Sequence, residues 1–457
     1  MADPKKPLSY APSVGLTYDP EDPKYFDGAM LQKELDRVFE VCNGCRMCFK
    51  FCDVFPDLFK LLDDDVHEGD VHKLKAQETD DLMSQCFQCK LCEVQCPYTP
   101  RDKHEYQLDF PRLVHRWAAQ EFRNEGGDLR DAVLGNPDLA GGMARLSMGT
   151  VNTANKIPAH RWMMEKVLGV HRDKLLPEFA ATTFEKWAKQ QGKVTGVGAE
   201  VVLFQTCYVQ HNEPQIGRDA VEVLEHQGVK TTCAEGLKCC GMPAWEHGDL
   251  ETLRANAKHN LDILMPHVEA GAKVLAVNPT CAMVMRREYP ELLAKEDRPR
   301  AEKLAKAVMD PGEYLWGIRK EPRFKKDFQS SPGEEVSYHA PCHLRAQAVG
   351  FKGRDLIGQI PGVRAKSVLE CCGHDGTYAM KVESFEDSAR IGKKAFEEMK
   401  DSTAQVWVTE CPLAATQFQQ HAGVKPMHPL SVLAKSYRPP DQGGFPTPIV
   451  PPKKEEP

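Results

Sequence analysis

Eight of the 17 cysteines in this chain of 457 residues lie in two short runs with the same internal spacing. The runs are Cys42, Cys45, Cys48, Cys52 and Cys86, Cys89, Cys92, Cys96. Thiolates this close in sequence can direct several sulfurs and backbone N–H groups at one small centre. Three chemistries use such crowding: a disulfide framework, a zinc site and an iron–sulfur cluster.

The length and composition of the chain argue against disulfides. A chain of 457 residues can bury an ample core without covalent staples. The N-terminus lacks the apolar segment of a secretory signal and no stretch approaches a membrane span, so we expect a cytoplasmic protein. In a reducing compartment, clustered cysteines indicate metal or redox chemistry. The net charge of -7 and the lack of a basic run argue against a nucleic-acid partner.

The spacing of the cysteines favours an iron–sulfur site over a zinc site. Structural zinc uses two separated pairs of ligands, whereas two identical runs of four, the second followed by Pro97, are the signature of two-cluster ferredoxins. Asp53 stands where the first run would have its proline, which removes no ligand.

In a two-cluster ferredoxin, the fourth cysteine of each run reaches the cluster of the other run. We therefore predict two [4Fe–4S] clusters, each held by one set of four thiols. The first ferredoxin set is Cys42, Cys45, Cys48 and Cys96. The second ferredoxin set is Cys52, Cys86, Cys89 and Cys92.

Helices are expected to position these runs. Apolar residues recur at three- and four-residue steps in 30–41, 54–65, 70–85 and 108–122, which lie before, between and after the runs. Acidic residues separate the apolar ones in the two segments between the runs. The pattern predicts an α-helical ferredoxin domain in which each cluster sits between helices.

Eight further cysteines form two copies of a second arrangement, in which a Cys-Cys-Gly (CCG) turn lies between two single cysteines. The first CCG set is Cys207, Cys239, Cys240 and Cys281, and the second CCG set is Cys342, Cys371, Cys372 and Cys411. These residues are candidates to bind one or two further iron–sulfur clusters; the alternative is a group of ordinary buried thiols. Cys233 has no counterpart in the second copy, and we expect it to be a structural thiol.

Short β-branched runs precede four of these cysteines, at 200–204, 273–277, 335–339 and 405–409, and helical patterns lie between them. This alternation predicts parallel sheets covered by helices, with the cysteines just beyond the C-terminal strand ends. Gly241 and Gly373 would let the backbone turn closely round a bulky cluster. The predicted fold is multidomain, α plus α/β: an N-terminal α-helical ferredoxin domain with two [4Fe–4S] clusters, followed by two α/β CCG (cysteine-rich) domains.

Two such runs followed by two copies of the CCG pattern resemble the heterodisulfide reductase D-type proteins. That group includes the C subunit of anaerobic glycerol-3-phosphate dehydrogenase and the iron–sulfur subunit of glycolate oxidase. The resemblance covers roughly residues 35 to 437. It implies an iron–sulfur electron-transfer subunit that relays electrons between an FAD-dependent dehydrogenase and a quinone or other acceptor. It also implies a position on the inner face of the membrane, held there through a partner or membrane anchor.

The chain departs from the disulfide-cleaving members, which carry five cysteines in each CCG domain. Asn278 and Ala414 stand where the missing cysteines would be. Four thiols suffice for a conventional [4Fe–4S] centre, but the departure argues against a noncubane cluster that cleaves disulfides. Two alternatives stay open: a catalytic heterodisulfide-type reductase at the CCG site, and an electron donor to a soluble peroxide-reducing protein such as rubrerythrin.

Other motifs add little chemistry. Because no G-x-G-x-x-G follows a strand and no Walker motif occurs, we expect no flavin or NAD bound by this chain. The histidines near the second CCG set are expected to hydrogen-bond sulfur or backbone rather than bind metal; they are His339, His343 and His374. Arg46 and Lys90 lie inside the cluster loops and are expected to be solvated, with partner docking as the alternative.

The chain is predicted to consist of seven segments. These are an N-terminal arm (1–34), the ferredoxin domain (35–125), a partly helical bridge (126–199), the first CCG domain (200–300), a linker (301–334), the second CCG domain (335–437) and a Pro-rich disordered tail (438–457).

Overall fold

The computed structural model describes residues 10–147 and 149–449 of the chain. The chain divides into two compact units. The first unit comprises the residues up to Gly127 together with Trp245–Leu250, and the second comprises the rest from Asp128 onward.

The first unit is built from helices. These are α1 (Gly28–Cys45), α2 (Val54–Leu62), α3 (Ala76–Ser84), α4 (Leu91–Gln95) and α5 (Phe110–Glu125), with 3-10 turns at Pro23–Phe26 and Val71–Lys73. The side chains of Asp27 and Asp109 cap α1 and α5 by accepting the N–H groups of Met30 and Arg112. Because α1 begins at Gly28, the N-terminal arm is shorter than predicted.

The helices of the first unit pack around an apolar core. Leu31, Leu35 and Val38 recur at helical spacing on α1 and are at most 5% exposed. Phe55 from α2 and Phe110 from α5 pack with their ring centroids 5.0 Å apart. Burying each such side chain contributes about 1.5–3 kcal/mol, and cysteines of both ferredoxin sets pack against this core.

The second unit opens with short helices where the sequence predicted a bridge. They are α6 (Leu129–Leu134), α7 (Pro137–Leu146), α8 (Thr150–Ala154), α9 (Pro158–Leu168) and α10 (Phe184–Gln190). The side chains of Asn136 and Thr183 cap α7 and α10. These helices belong to the same compact unit as both CCG domains.

The first CCG domain has a parallel sheet of order β2-β1-β3-β4. The strands are β1 (Val201–Phe204), β2 (Thr231–Cys233), β3 (Lys273–Ala276) and β4 (Val308–Met309). Its helices are α11 (Thr206–His211), α12 (Pro214–His226), α13 (Met242–Glu246), α14 (Leu250–Glu269), α15 (Pro279–Met283), α16 (Tyr289–Leu292), α17 (Arg298–Ala307) and α18 (Pro311–Ile318), with a π-helical turn at Val284–Glu288. Since β4 lies at 308–309, the prediction of a linker over 301–334 was wrong for this segment. A two-residue strand carries no readable alternation.

The second CCG domain has a parallel sheet of order β7-β6-β8. Its strands are β6 (Glu335–His339), β7 (Arg364–Val368) and β8 (Val406–Thr409), and β5 (Ser330–Ser331) pairs with β9 (Thr447–Pro448) in a separate antiparallel ladder. Its helices are α19 (Cys342–Ala346), α20 (Lys352–Ile357), α21 (Phe385–Lys400), α22 (Pro412–Ala422) and α23 (Pro429–Tyr437), with 3-10 turns at Tyr378–Met380 and Pro440–Gln442.

The two sheets repeat one topology. In each, the first strand of the copy (β1 or β6) is central, with the second and third strands on either side. All these strands are parallel, so their C-terminal ends lie at one edge of each sheet. Both CCG sets follow strand ends at this edge, which is the usual site-bearing edge of open α/β sheets.

The prediction of a disordered tail was wrong for residues 438–449. Phe445 is buried, and the Ser330 hydroxyl lies within hydrogen-bond distance of the carbonyl oxygens of Lys435 and Arg438, at 3.0 and 2.8 Å. β9 then pairs with β5. A buried aromatic and a paired strand outweigh the prolines of this segment, and the remaining tail residues, 450–457, lie outside the described residues.

Candidate iron–sulfur centres

The first ferredoxin set lines one cavity in the first unit. The end of α1 provides Cys42 and Cys45, and Cys96 is the C-terminal cap of α4. Arg46 leaves α1 with φ 52°, in the left-handed region, which turns the chain towards Cys48. The structure brings these four thiols together; their binding of a cluster stays a prediction.

The second ferredoxin set lines a second cavity in the same unit. Gln88 and Lys90 have φ values of 58° and 59°, so the loop from Cys86 alternates its backbone conformation. Turns of this kind point successive N–H groups into a concavity that suits an anionic group. An iron–sulfur cluster with thiolate ligands is such a group, so the loop fits it.

The electrostatics of the ferredoxin thiols also fit a bound cationic metal. Burial, together with the neighbouring thiols, raises the pKa of Cys42 and Cys92 well above the usual value. Burial, Cys96 and Cys45 raise the pKa of Cys48 to about 12. Crowded, buried thiols resist ionisation unless positive charge compensates them, and iron supplies that charge.

Of the two charges expected to be solvated in the cluster loops, Arg46 is exposed and Lys90 is buried. The guanidinium of Arg46 donates to both oxygens of Asp63 at 2.6 and 2.7 Å, so its charge is already paired at the surface. Lys90 is 1% exposed, and its ammonium lies 5.0 Å from the ring centroid of Trp245. The prediction of a solvated Lys90 was wrong, and a buried lysine offers no surface for docking.

The first CCG set converges beside the first parallel sheet. Cys207 lies on α11 after β1, Cys239 and Cys240 follow β2, and Cys281 lies on α15 after β3. A hydrogen bond from the Cys207 thiol lowers the pKa of Cys239 well below its usual value. The thiol of Cys240 interacts with Cys239 and Cys281, and these contacts raise its pKa. The four thiols therefore form one continuous group.

An aspartate from the predicted bridge joins the first CCG set. The Cys239 N–H donates to Asp138 Oδ2 at 2.7 Å, and Asp138 Oδ1 lies 3.2 Å from His211 Nε2. Arg145 Nη1 lies 2.9 Å from the other ring nitrogen of His211. No motif marked Asp138 in the sequence, because its partner is a backbone amide about a hundred residues away.

The second CCG set follows the strands of the second sheet. Cys342 begins α19 after β6, Cys371 and Cys372 follow β7, and Cys411 caps α22 after β8. Burial, followed by the neighbouring Cys371 and Cys411, raises the pKa of Cys372 well above its usual value. Cys372 is buried, and the other three thiols of the set are partly exposed.

A buried carboxylate lies against the second CCG set. The Cys342 thiol is 3.4 Å from Asp375 Oδ2, and His343 Nε2 is 3.4 Å from the same oxygen. The donor atoms of these three residues all lie within 4.8 Å of one another. No sequence motif predicted a role for Asp375, although it lies three residues after the Cys-Cys pair.

The two CCG sets lie close to each other within the second unit. Cys281 of the first set contributes to the raised pKa of Cys411 in the second. The hydroxyl of Thr280 lies 2.9 Å from His343 Nδ1, so α15 and α19 are in contact. The thiols of both copies therefore gather in one region of this unit.

Cys233 lies apart from these sets on β2. It is 2% exposed within the apolar core, and burial raises its pKa to about 12. Its surroundings are those of a structural thiol.

The glycines of the CCG turns approach helices closely. Gly241 and Gly373 have φ values of 91° and 73°. A Cβ at Gly241 would lie 2.6 Å from the Leu253 side chain, and one at Gly373 would lie 1.9 Å from the carbonyl oxygen of Ser388. In the structure, the two CCG turns therefore lie closely against α14 and α21.

Comparison with known proteins finds family models that match the ferredoxin region and both CCG domains. A family model described as a 4Fe-4S dicluster domain matches residues 41–99, and a model described as a cysteine-rich domain matches residues 201–286 and 336–419. The C subunit of anaerobic glycerol-3-phosphate dehydrogenase from Escherichia coli (strain K12) is 30% identical over 315 residues, which is 67% of this chain and 77% of the relative. The chain belongs to this family.

Lactate utilization proteins are also similar to this chain. Lactate utilization protein A 2 of Bacillus cereus is 28% identical over 196 residues, covering 41% of this chain and 77% of the relative. Lactate utilization protein A of Exiguobacterium sp. is 30% identical over 189 residues, covering 40% and 74%. The family resemblance and the fold class predicted from the sequence are confirmed.

The family and its domains establish the general role of the chain. It is an iron–sulfur protein of the electron-transfer type, related to a dehydrogenase subunit. Among the described residues, no helix has both the length and the apolar character that crossing a membrane requires.

Proposed function

We propose that this chain is the electron-relay subunit of an oxidoreductase complex. Its first unit would hold one [4Fe–4S] cluster on each ferredoxin set, and such clusters accept and donate single electrons. The electrons would pass between an FAD-dependent dehydrogenase and a quinone or other acceptor. The chain itself would carry no flavin or NAD, so it would depend on the dehydrogenase for two-electron chemistry.

The observation that carries this proposal is the closeness of the two cavities. The ring of Phe55 lines both of them. The Cys48 thiol of the first ferredoxin set lies 3.9 Å from the Cys92 carbonyl oxygen of the second. Two clusters held side by side across one aromatic ring suit electron exchange between them, whereas a structural metal site needs no such pairing.

The surroundings of the first cavity favour an exchange with a protein partner there. Met47 lines this cavity and is 44% exposed, and nearby Phe49 is 62% exposed. We place the docking of the redox partner at this side, because exposed apolar side chains beside a redox centre suit a transient protein contact. A membrane anchor would be a further subunit.

The burial of three thiols of the first CCG set favours relay over direct disulfide cleavage at that set. Cys239, Cys240 and Cys281 are buried, so a bulky disulfide has no direct access to them. The second CCG set would extend the relay. Reduction of a soluble acceptor such as a rubrerythrin, with no response to quinone, would support the donor alternative.

The ligand sets are tested by iron and sulfide counts on anaerobically purified protein, combined with electron paramagnetic resonance. The double variant Cys42→Ser/Cys96→Ser removes two thiols of the first ferredoxin set and should cost one cluster. The variant Cys86→Ser/Cys96→Ser touches both sets and should cost both clusters. If each run held its own cluster, these two results would be exchanged.

Cys233→Ser is the matched control, because it removes a buried thiol that belongs to no set. It should keep the iron content and the spectra of the wild type. A colourless or zinc-loaded wild-type protein would refute the proposed function.

A further inference from the structure

A buried carboxylate lies beside the first thiol of the second CCG set. Asp375 contacts the Cys342 thiol, at 3.4 Å from Oδ2. A carboxylate oxygen this close to a thiol of the second CCG set is placed to act as a further donor to a centre held there.

This carboxylate is buried and held in place. Asp375 is 6% exposed, and the Gly376 N–H donates to its Oδ1 at 3.0 Å. Oδ2 is the atom that faces Cys342 and His343. One oxygen thus accepts a backbone N–H, while the other faces the Cys342 thiol and the His343 ring.

His343 holds the carboxylate from the other side. It is 1% exposed, its Nε2 is 3.4 Å from Asp375 Oδ2, and its Nδ1 is 2.9 Å from the Thr280 hydroxyl. Histidine and carboxylate groups paired in this way commonly orient metal ligands. The donor atoms of Cys342, His343 and Asp375 all lie within 4.8 Å of one another, an arrangement that suits a metal ion.

The first CCG set provides a contrast. There the nearby carboxylate, Asp138, accepts the Cys239 N–H at 2.7 Å, so a backbone amide occupies its oxygen. Its second oxygen lies against His211. Asp375 likewise accepts a backbone N–H on one oxygen and approaches a histidine with the other, but its Oδ2 also lies 3.4 Å from the Cys342 thiol.

We propose that Asp375 is an oxygen ligand to iron in a centre held by the second CCG set, with His343 as its positioning residue. Carboxylate is a harder ligand than thiolate and distinguishes one iron from the others. This inference goes beyond the relay proposed above, because it concerns the CCG half alone and does not require the ferredoxin clusters.

The test compares the full chain with Asp375→Asn and Asp375→Cys after anaerobic reconstitution with ⁵⁷Fe²⁺ and sulfide. Mössbauer spectra of the wild type should contain one iron subsite with an isomer shift typical of oxygen ligation. Asp375→Asn should lose this subsite and bind less iron. Asp375→Cys should bind as much iron as the wild type but show sulfur-type ligation throughout, which separates a lost ligand from a misfolded protein.

Asp310→Asn is the matched control, because Asp310 is a buried carboxylate of the same unit that caps α18. It should leave iron content and Mössbauer spectra unchanged. Identical spectra for wild type and Asp375→Asn would overturn the proposal, as would zinc in place of iron at this site. Absent ferredoxin clusters would lower the total iron of every variant equally and leave the difference caused by Asp375 intact.

Discussion

Replacing Gly373 by alanine should destabilise the second unit far more than the same change at Gly362. Both glycines have left-handed backbone, with φ values of 73° and 76°. An alanine in that region costs about 1 kcal/mol at either position. A Cβ at Gly362 would meet nothing within 4 Å, so this cost is its whole effect.

At Gly373 the new methyl group would also collide with α21. It would lie 1.9 Å from the carbonyl oxygen of Ser388 and 3.0 Å from the backbone nitrogen of Gly392. Both are backbone atoms, so the turn or the helix must shift, and overpacking of this kind costs about 1–3 kcal/mol more. We expect a total of about 2–4 kcal/mol for Gly373→Ala.

Thermal unfolding followed by circular dichroism measures the difference. With about 2–4 °C per kcal/mol for a domain of this class, Gly362→Ala should lower the Tm by about 2–4 °C and Gly373→Ala by about 4–16 °C. Hydrogen–deuterium exchange should quicken in α21 for Gly373→Ala alone. Equal Tm shifts, with α21 unaffected, would show that the close approach of turn and helix does not constrain the CCG motif.

Two further predictions concern buried charges. Arg37→Met should destabilise the first unit by about 3–5 kcal/mol in urea unfolding, since it leaves the fully buried Glu34 carboxylate without its guanidinium partner. Adding Glu34→Gln should recover part of the loss, and a double variant no better than the single one would contradict this reasoning. Burial raises the pKa of Asp310 from 3.8 to about 7, so between these pH values the unfolded carboxyl ionises while the folded one keeps its proton. Stability should therefore fall as pH rises from 4 to 7; Asp310→Asn should flatten this fall, and an unchanged pH profile would argue against it.

Local spacing in the sequence was enough to predict the helices of the ferredoxin region and the four strands that precede cysteines. Residues 30–41 fall within α1, and the β-branched runs at 200–204 and 335–339 coincide with β1 and β6. These features are readable because side-chain periodicity and β-branching act over a few residues. The family resemblance also predicted how these helices and strands are grouped into domains.

Other features of the fold could not be predicted from local sequence patterns. β4 has two residues, and β9 pairs with a strand more than a hundred positions earlier, so neither produces a periodic signal. The sequence also predicted a solvated Lys90, since a lysine in a loop is usually exposed, yet Trp245 packs over it.

The sequence by itself determined which residues are thiols, how they are spaced and which strands precede them. Only the tertiary structure decided that Phe55 lies between the two ferredoxin cavities and that Asp138 and Asp375 join the CCG sets. The physical reason is the range of the interactions. Spacing along a loop governs how far neighbouring thiols can reach, whereas the approach of a carboxylate to a distant thiol or amide depends on how sheets and helices pack together.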